Sequence, residues 1–421
     1  MKKISIITLG CKVNQYESDS LSSLLEESGF EVVNKIEPSD YFIVNTCAVT
    51  NEAEKKSRMI ISKIRKSSKN SKIFVCGCAS QKNKENFNLP NVFSIGTIKK
   101  DEILKFINND AFDKNFNINN NELTYHEMYF AKNQKTRAYI KIQDGCNNFC
   151  SYCIIPYLRG RERSRQIESI KKELDCLVKY YNEIIFVGIN LSNYGKDFKD
   201  NTSLIDVIKL ASQYKNTRFR LSSLEINIVS DSLLTEMKNS KNICDHFHLS
   251  LQSASNNVLK SMNRKYTIEE YKEKVNLIRK FFPNAGITTD IIVGYPTETE
   301  EDFNEGLKNI EDIKFSDIHI FPFSKRDGTV ASKLKQLNGT IVKERELKLQ
   351  KLKENLKNNF LNSQIGKIYE IITEIKTDKY YDGLSSNYIR CYFDAENIKP
   401  NTKLKVKLKS LYKDGVFCEI V

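Results

Sequence analysis

Short apolar runs and amphipathic stretches alternate along most of this chain, and the pattern changes twice. KISIITL, YFIVN and KIFVC read as strands separated by helical patterns near Gln15–Ser28 and Glu52–Ser67, the rhythm of an open parallel α/β sheet. Residues 108–134 then become polar and Asn-rich, as a connection does. A second strand and helix series follows at 138–143, 183–188, 218–223, 246–251, 286–294 and 317–323, and six repeats predict a partial, open (β/α)6 barrel. Beyond the charged helical stretch VKERELKLQKLKENLKNNFLN, the segments IGKIYEIITEI, YDGLSSNYIRCYF, TKLKVKLKSLY and GVFCEIV fit a small OB-like barrel of about five strands. The expected class is α/β, with an N-terminal domain over 1–110, a linker over 111–134, a barrel domain over 135–358 and a small β-barrel over 359–421.

In open α/β sheets the functional crevice lies beyond the carboxyl ends of the strands. Each of the first three strands is followed there by a cysteine: Cys11, Cys47 and Cys78. Right-handed crossovers would gather the three thiols along one rim. A [4Fe-4S] cube takes four thiolates, so three leave one iron with an open position. Strand alternation puts the neighbouring Cys76 inside its strand and makes Cys78 the ligand. The plainer alternative is three small buried core residues.

A second trio, Cys146, Cys150 and Cys153, is spaced CxxxCxxC in the single loop DGCNNFCSYCIIPY. It too supplies three thiolates of the four a cube needs. A zinc site would bring two close pairs, or a pair with two histidines, and the four histidines, at 126, 246, 248 and 319, lie far from this loop in sequence. At the later strand ends, Gly188, Asn190, Ser222, Ser223, Glu225, Gln252, Asp290 and Gly294 offer polar groups, or bare backbone that a cofactor could approach.

Composition narrows the setting. With 40% hydrophobic and 28% charged residues the 421-residue chain is ordinary for globular domains, and Ile4–Leu9 is too short for an export signal. No apolar run reaches the length of a membrane span. Eleven cysteines without an export signal indicate a reducing compartment, the cytoplasm. A formal charge of +13 favours a polyanionic partner. Arg159, Arg161, Arg163 and Arg165 alternate, so in an extended segment they would share one face suited to phosphate. The acid-free stretch from Lys55 to Lys72 reads as a solvated surface.

The CxxxCxxC spacing, with aromatic Tyr152 before its last cysteine, resembles the signature of radical S-adenosylmethionine enzymes. LGCKVNQYESD, NTCAVTNEAEKKSR, GCASQ, GINLSNYG, HLSLQSAS and DIIVGYPTETEEDF, in order around it, extend the resemblance to the methylthiotransferases over nearly the whole chain. The resemblance implies two [4Fe-4S] clusters, an auxiliary one on Cys11, Cys47 and Cys78 and a radical-generating one on Cys146, Cys150 and Cys153, with S-adenosylmethionine near Tyr152 and the strand ends. It also implies a terminal TRAM domain, a tRNA anticodon loop as substrate, an electron donor such as flavodoxin or ferredoxin, and a sulfur donor. KVNQYES and CAVTNEAEKKSR resemble the branch acting on N6-threonylcarbamoyladenosine. Sister branches act on isopentenyladenosine or on a ribosomal-protein aspartate. Tyr295 and Thr297 depart from the usual phenylalanine and glycine, and the TRAM stretch matches loosely. From another class, a non-catalytic zinc-holding RNA-binding protein would explain the charge and the small barrel, but not two three-thiol sets.

Overall fold

The computed structural model describes residues 1–109, 124–131, 136–376 and 379–421. The connection expected over 111–134 lies outside the described residues except for 124–131. Strands β1 (Lys3–Thr8), β2 (Glu31–Val33), β3 (Tyr41–Thr46), β4 (Lys72–Gly77) and β5 (Val92–Ser94) form one parallel sheet in the order β2-β1-β3-β4-β5. All six residues of β3 are buried, as a central strand covered on both faces requires. Two short strands, β2 and β5, were not readable from apolar runs, being only three residues each.

Helix α1 (Lys12–Glu27) follows β1, α2 (Asn51–Ser67) follows β3, and the short α3 (Cys78–Lys82) follows β4. The Thr50 hydroxyl caps α2 by accepting from the Ala53 N–H at 3.2 Å. Glu52 and Glu54 in its first turn and Arg65 and Lys66 in its last complement the helix dipole.

The central region holds β6 (Ala138–Lys141), the small antiparallel pair β7 (Gln143–Asp144) and β8 (Arg163–Ser164), then β9 (Glu183–Val187), β10 (Arg218–Leu221), β11 (His246–His248), β12 (Gly286–Val293) and β13 (Asp317–Pro322). Two parallel triplets, β10-β9-β6 and β11-β12-β13, are joined by bridges Phe219 to Ile243 and Leu224 to Leu249. The result is the expected six-stranded, open barrel. Helix α1 packs against β6, and its Val13 and Tyr16 share a buried cluster with Ile185 and Val187 of the adjoining β9.

Strands β14 (Ile368–Thr373), β15 (Tyr381–Ser385), β16 (Arg390–Phe393), β17 (Lys403–Tyr412) and β18 (Gly415–Ile420) close a five-stranded barrel. It sits under the amino-terminal ends of the central strands. There Arg218 donates to the Leu384 carbonyl at 2.6 Å and Arg220 to the Ser386 carbonyl at 2.9 Å. The helix Gly339–Gln364 serves both cores, with Leu349 and Leu356 in the central one and Leu361 in the small barrel's. The boundary expected at 358/359 therefore falls inside a continuous helix.

Candidate active site

Parallel strands deliver the first trio to one rim. Cys11 sits at the amino-terminal cap of α1, Cys47 follows β3, and Cys78 opens α3. Each of these thiols lies within electrostatic range of the other two. Gly10 lets the first turn close over the second: a Cβ there would meet the Cys47 Sγ at 2.8 Å. Gly77 adopts φ +96°, and a Cβ would stand 2.4 Å from the Thr46 carbonyl, so only glycine turns β4 into Cys78. Cys76 is buried within β4 among Ile4 and Phe74.

The second trio occupies the turns after β7. Gly145, at φ +71°, carries the chain into Cys146, and the Cys153 N–H donates to the Cys150 carbonyl at 3.0 Å. Burial pushes the Cys47 and Cys153 thiols up to about 12 and Cys146 up to about 11. Binding a metal cluster as thiolates therefore releases protons. Among the described residues, the metal-capable donors drawn within 4.8 Å of one another are His248, Asp290 and His319. Three soft thiolates, one short of a closed four-thiolate set, suit an iron–sulfur cube with one iron open.

Cys153 of the second trio borders a cleft that also receives the residues just after Cys47. Val49 and Thr50, just after Cys47, line it on one side, with Tyr152, Cys153, Gln252 and Asp290 on the other, enclosing about 230 Å³. A second recess of about 390 Å³ opens on the far side of the loop beside Cys150, Asn148 and Glu225. That is the size range of a small-molecule site.

The strand-end residues divide on inspection. Asn190 is buried and turns its side-chain amide to the Cys146 sulfur, with no oxygen acceptor for its Nδ2 among the described residues. A buried donor aimed at a thiol suits a bound sulfur centre. Glu225 accepts from Asn148 Nδ2 at 2.7 Å and Arg264 Nη1 at 3.0 Å. Gln252, at φ +71°, lines the shared cleft with Tyr152, and the buried Ser222 hydroxyl is unpartnered. Asp290 Oδ2 stands 3.2 Å from His248 Nε2. The spaces beside two glycines are already filled. Gly188 abuts Gln143, whose amide donates to the Gly145 carbonyl and so braces the cysteine loop, while Gly294 abuts Val342.

The arginine tract is not an extended phosphate face. Ile155–Arg159 is helical and Gly160 turns at φ +75°, which breaks the assumed alternation. Arg159 is buried, donating to Glu17 Oε1 at 2.9 Å, Asp144 Oδ1 at 3.0 Å and Asn14 Oδ1 at 2.8 Å. Arg165 pairs with Glu173, and Arg163 donates to the Arg159 carbonyl at 2.8 Å, leaving Arg161 exposed over the Phe149 ring. Lys100 and Lys141 also reach Glu17. Burial alone would raise Glu17, but Arg159, Lys100 and Lys141 outweigh it and hold the carboxyl well below its usual range.

Arg264 was not foreseen. Its Nη1 donates to Cys150 Sγ at 3.3 Å, a cation directly on a candidate ligand, yet NRKY carries no local signal for that contact.

Residues 140–310 match the radical SAM superfamily, and residues 3–93 match a family described as uncharacterized, UPF0004. The chain is 34% identical over 439 residues to the threonylcarbamoyladenosine tRNA methylthiotransferase MtaB of Bacillus subtilis, covering 100% of this chain and 97% of that one. It is 37% identical over 426 residues to MtaB of Thermotoga maritima, covering 99% and 96%. It is 36% identical over 434 residues to the tRNA-2-methylthio-N(6)-dimethylallyladenosine synthase of Thermosipho melanesiensis, covering 100% and 99%. Among solved structures, the radical S-adenosylmethionine methyltransferase TsrM of Kitasatospora setae shares the fold, with a TM-score of 0.58 at 14% identity over 79% of this chain and 77% of that one. Matched end to end by such relatives, the chain belongs to the radical SAM methylthiotransferase family.

Proposed function

We propose that this protein adds a methylthio group to C2 of N6-threonylcarbamoyladenosine beside the anticodon of tRNA. The observation that carries the reading is a cleft lined by Cys153 of one three-cysteine set and by Val49 and Thr50, which follow Cys47 of the other, in a chain whose full-length relatives include MtaB enzymes. Cys146, Cys150 and Cys153 would hold the cluster that works with S-adenosylmethionine, and Cys11, Cys47 and Cys78 the auxiliary [4Fe-4S] cluster. When bound, the two centres and the cofactor supply one-electron chemistry and sulfur, which an unactivated aromatic C–H demands.

The chain's own residues supply placement. Arg264, held by Glu225, aims a positive charge at the Cys150 sulfur. The recess containing Glu225 and Asn148 lies beside the same cysteine and suits the cofactor. Arg159, shared between Glu17 of α1 and Asp144 of β7, fixes the separation of the trios. Fixed separation matters because reacting groups must meet near contact distance.

The small barrel offers an RNA surface. Tyr380, Tyr392, Tyr412 and Phe417 pack ring to ring, with Lys413 over two of them. Aromatic faces with adjacent cations are how single-stranded nucleic acid is held. An electron carrier such as flavodoxin or ferredoxin and a sulfur donor complete the proposed partners. We place the reaction in the cytoplasm; among the described residues no helix is long and apolar enough to cross a membrane. The three functional parts we assign are 1–110, 135–358 and 359–421.

Nucleoside mass spectrometry of tRNA from cells lacking the gene tests the reading: the methylthio derivative of threonylcarbamoyladenosine is expected to vanish. Loss of the dimethylallyl derivative instead would assign the sister branch. Cys153→Ala is expected to abolish cofactor cleavage, and Cys47→Ala to retain cleavage while losing thiolation; cleavage by Cys153→Ala protein refutes the ligand assignment.

A further inference from the structure

The lumen of the central barrel holds a cation that the chain itself does not neutralise. Lys12, the first residue of α1 after Cys11, is exposed to solvent although α1 packs against the β6 edge. Arg220, Arg137, Asp290 and Glu183 all lie within electrostatic reach of its ammonium, as does His246. Glu183, Arg220, His246 and Asp290 stand on β9, β10, β11 and β12, and Arg137 just before β6, so the ammonium faces the barrel interior.

The charges around it are otherwise committed. Glu183 takes Arg137 at 2.7 Å, Arg218 at 2.5 Å and Arg220 at 3.3 Å, and Arg137 also pairs with Glu374. Asp290 takes His248 at 3.2 Å. Among the described residues Lys12 has neither an ion pair nor a hydrogen bond of its own. An unmatched cation with arginines behind it makes the lumen a receptor for an anion.

Neutral polar readers stand beside it. The Thr288 hydroxyl lies 3.0 Å from His246 Nε2 and 2.9 Å from His248 Nδ1, and the His248 and His319 rings are 5.6 Å apart. Asp290 belongs to this group and to the cleft beside Cys153, so the lumen continues into the site.

We propose that Lys12 receives the carboxylate of the substrate's threonylcarbamoyl group, while His248, His319 and Asp290 bind its hydroxyl and urea. The inference rests on the reading of the substrate given above. That substituent carries one carboxylate, urea N–H donors and a hydroxyl, which the lumen's donors and acceptors can match. A dimethylallyl group carries none of these and would leave Lys12 unpaired.

The test uses cluster-loaded full-length protein and anticodon stem-loops bearing threonylcarbamoyladenosine, its carboxamide analogue, or dimethylallyladenosine. Dissociation constants and turnover are both measured, with iron content as the check on assembly. Wild type is expected to bind the acid on the order of 10- to 100-fold tighter than the carboxamide, the scale of a charge-assisted contact. Lys12→Gln is expected to lose that preference, raising KM on the acid more than it lowers kcat, and to leave carboxamide binding unchanged. Should Lys12→Gln lose iron, Lys12→Arg is the variant to read, and it is expected to keep the preference for the acid.

Equal binding of acid and carboxamide by wild type overturns the inference, as does a Lys12→Gln variant that retains the preference. A stoichiometric divalent ion besides iron, lost in His319→Ala, overturns the role given to the histidines. Wild type that acts only on the dimethylallyl stem-loop refutes the functional reading itself. Wild type that methylthiolates the acid with no contribution from Lys12 refutes only this inference.

Discussion

The two cysteine trios reach equivalent ends by opposite routes. One is written into eight consecutive positions, Cys146 to Cys153, so the local turns bring its thiols together. The other is collected from positions 11, 47 and 78, and exists only when β1, β3 and β4 lie in register in one sheet. A local ligand set depends on its loop, whereas a dispersed set depends on the tertiary structure of a whole domain. The first set should therefore tolerate damage to the domain contact that the second does not.

The largest break of that comparison is expected from Arg159→Ala. It leaves Glu17 and Asp144 buried beside fewer cations, a loss of about 3–5 kcal/mol. Thermal unfolding should show the destabilisation, and iron should leave the Cys11, Cys47 and Cys78 set first, because Arg159 also holds Asn14 and lies within electrostatic range of Cys78. Equal iron loss from both sets would show that the trios are not independent.

Two glycines sharpen the contrast. Gly77→Ala forces a Cβ to 2.4 Å from the Thr46 carbonyl, and Gly145→Ala forces one to 1.9 Å from the Arg161 carbonyl. Each should cost about 1–3 kcal/mol in backbone strain. Spectroscopy of reconstituted protein should find the auxiliary centre perturbed in the first variant and the radical centre in the second.

The smallest effect at ordinary pH concerns the buried carboxylate at the seam. Glu17 has its pKa depressed in the folded state, so its contribution is fully present above the unfolded value and is lost as pH falls below it. Stability should be nearly flat from neutral pH down to about 5 and decline below about 4.5, the ordinary glutamate range. Denaturant titrations across that window check it, and Glu17→Gln should flatten the acid limb.

Much of this architecture was legible in the sequence because strand ends, helix patterns and cysteines are local signals. Six central strands and five terminal ones follow from such runs, but alternation does not part Cys76 from Cys78, since residues two apart in a strand share a face. Strand β4 ends at Gly77, whose turn at φ +96° places Cys78 at the start of α3. What escaped was long-range. Arg159 looks like a surface residue until Glu17, 142 positions away, is found beside it. Arg264 meets Cys150 across 114 positions, and Lys12 reaches the lumen only because α1 leans on β6. Spacing also cannot reveal that a Cβ at Gly188 would meet Leu191 and Gln143, or one at Gly294 would meet Val342.

Because Arg218 and Arg220 grip main-chain carbonyls of the terminal barrel, that module is bolted to the floor rather than trailing on a tether. A strand of RNA on the surface proposed at Tyr392 and Tyr412 would then be anchored at a set span from the cleft beside Cys153. On that proposal the enzyme would select its nucleotide as a gauge does, by how far it stands from the point of grip.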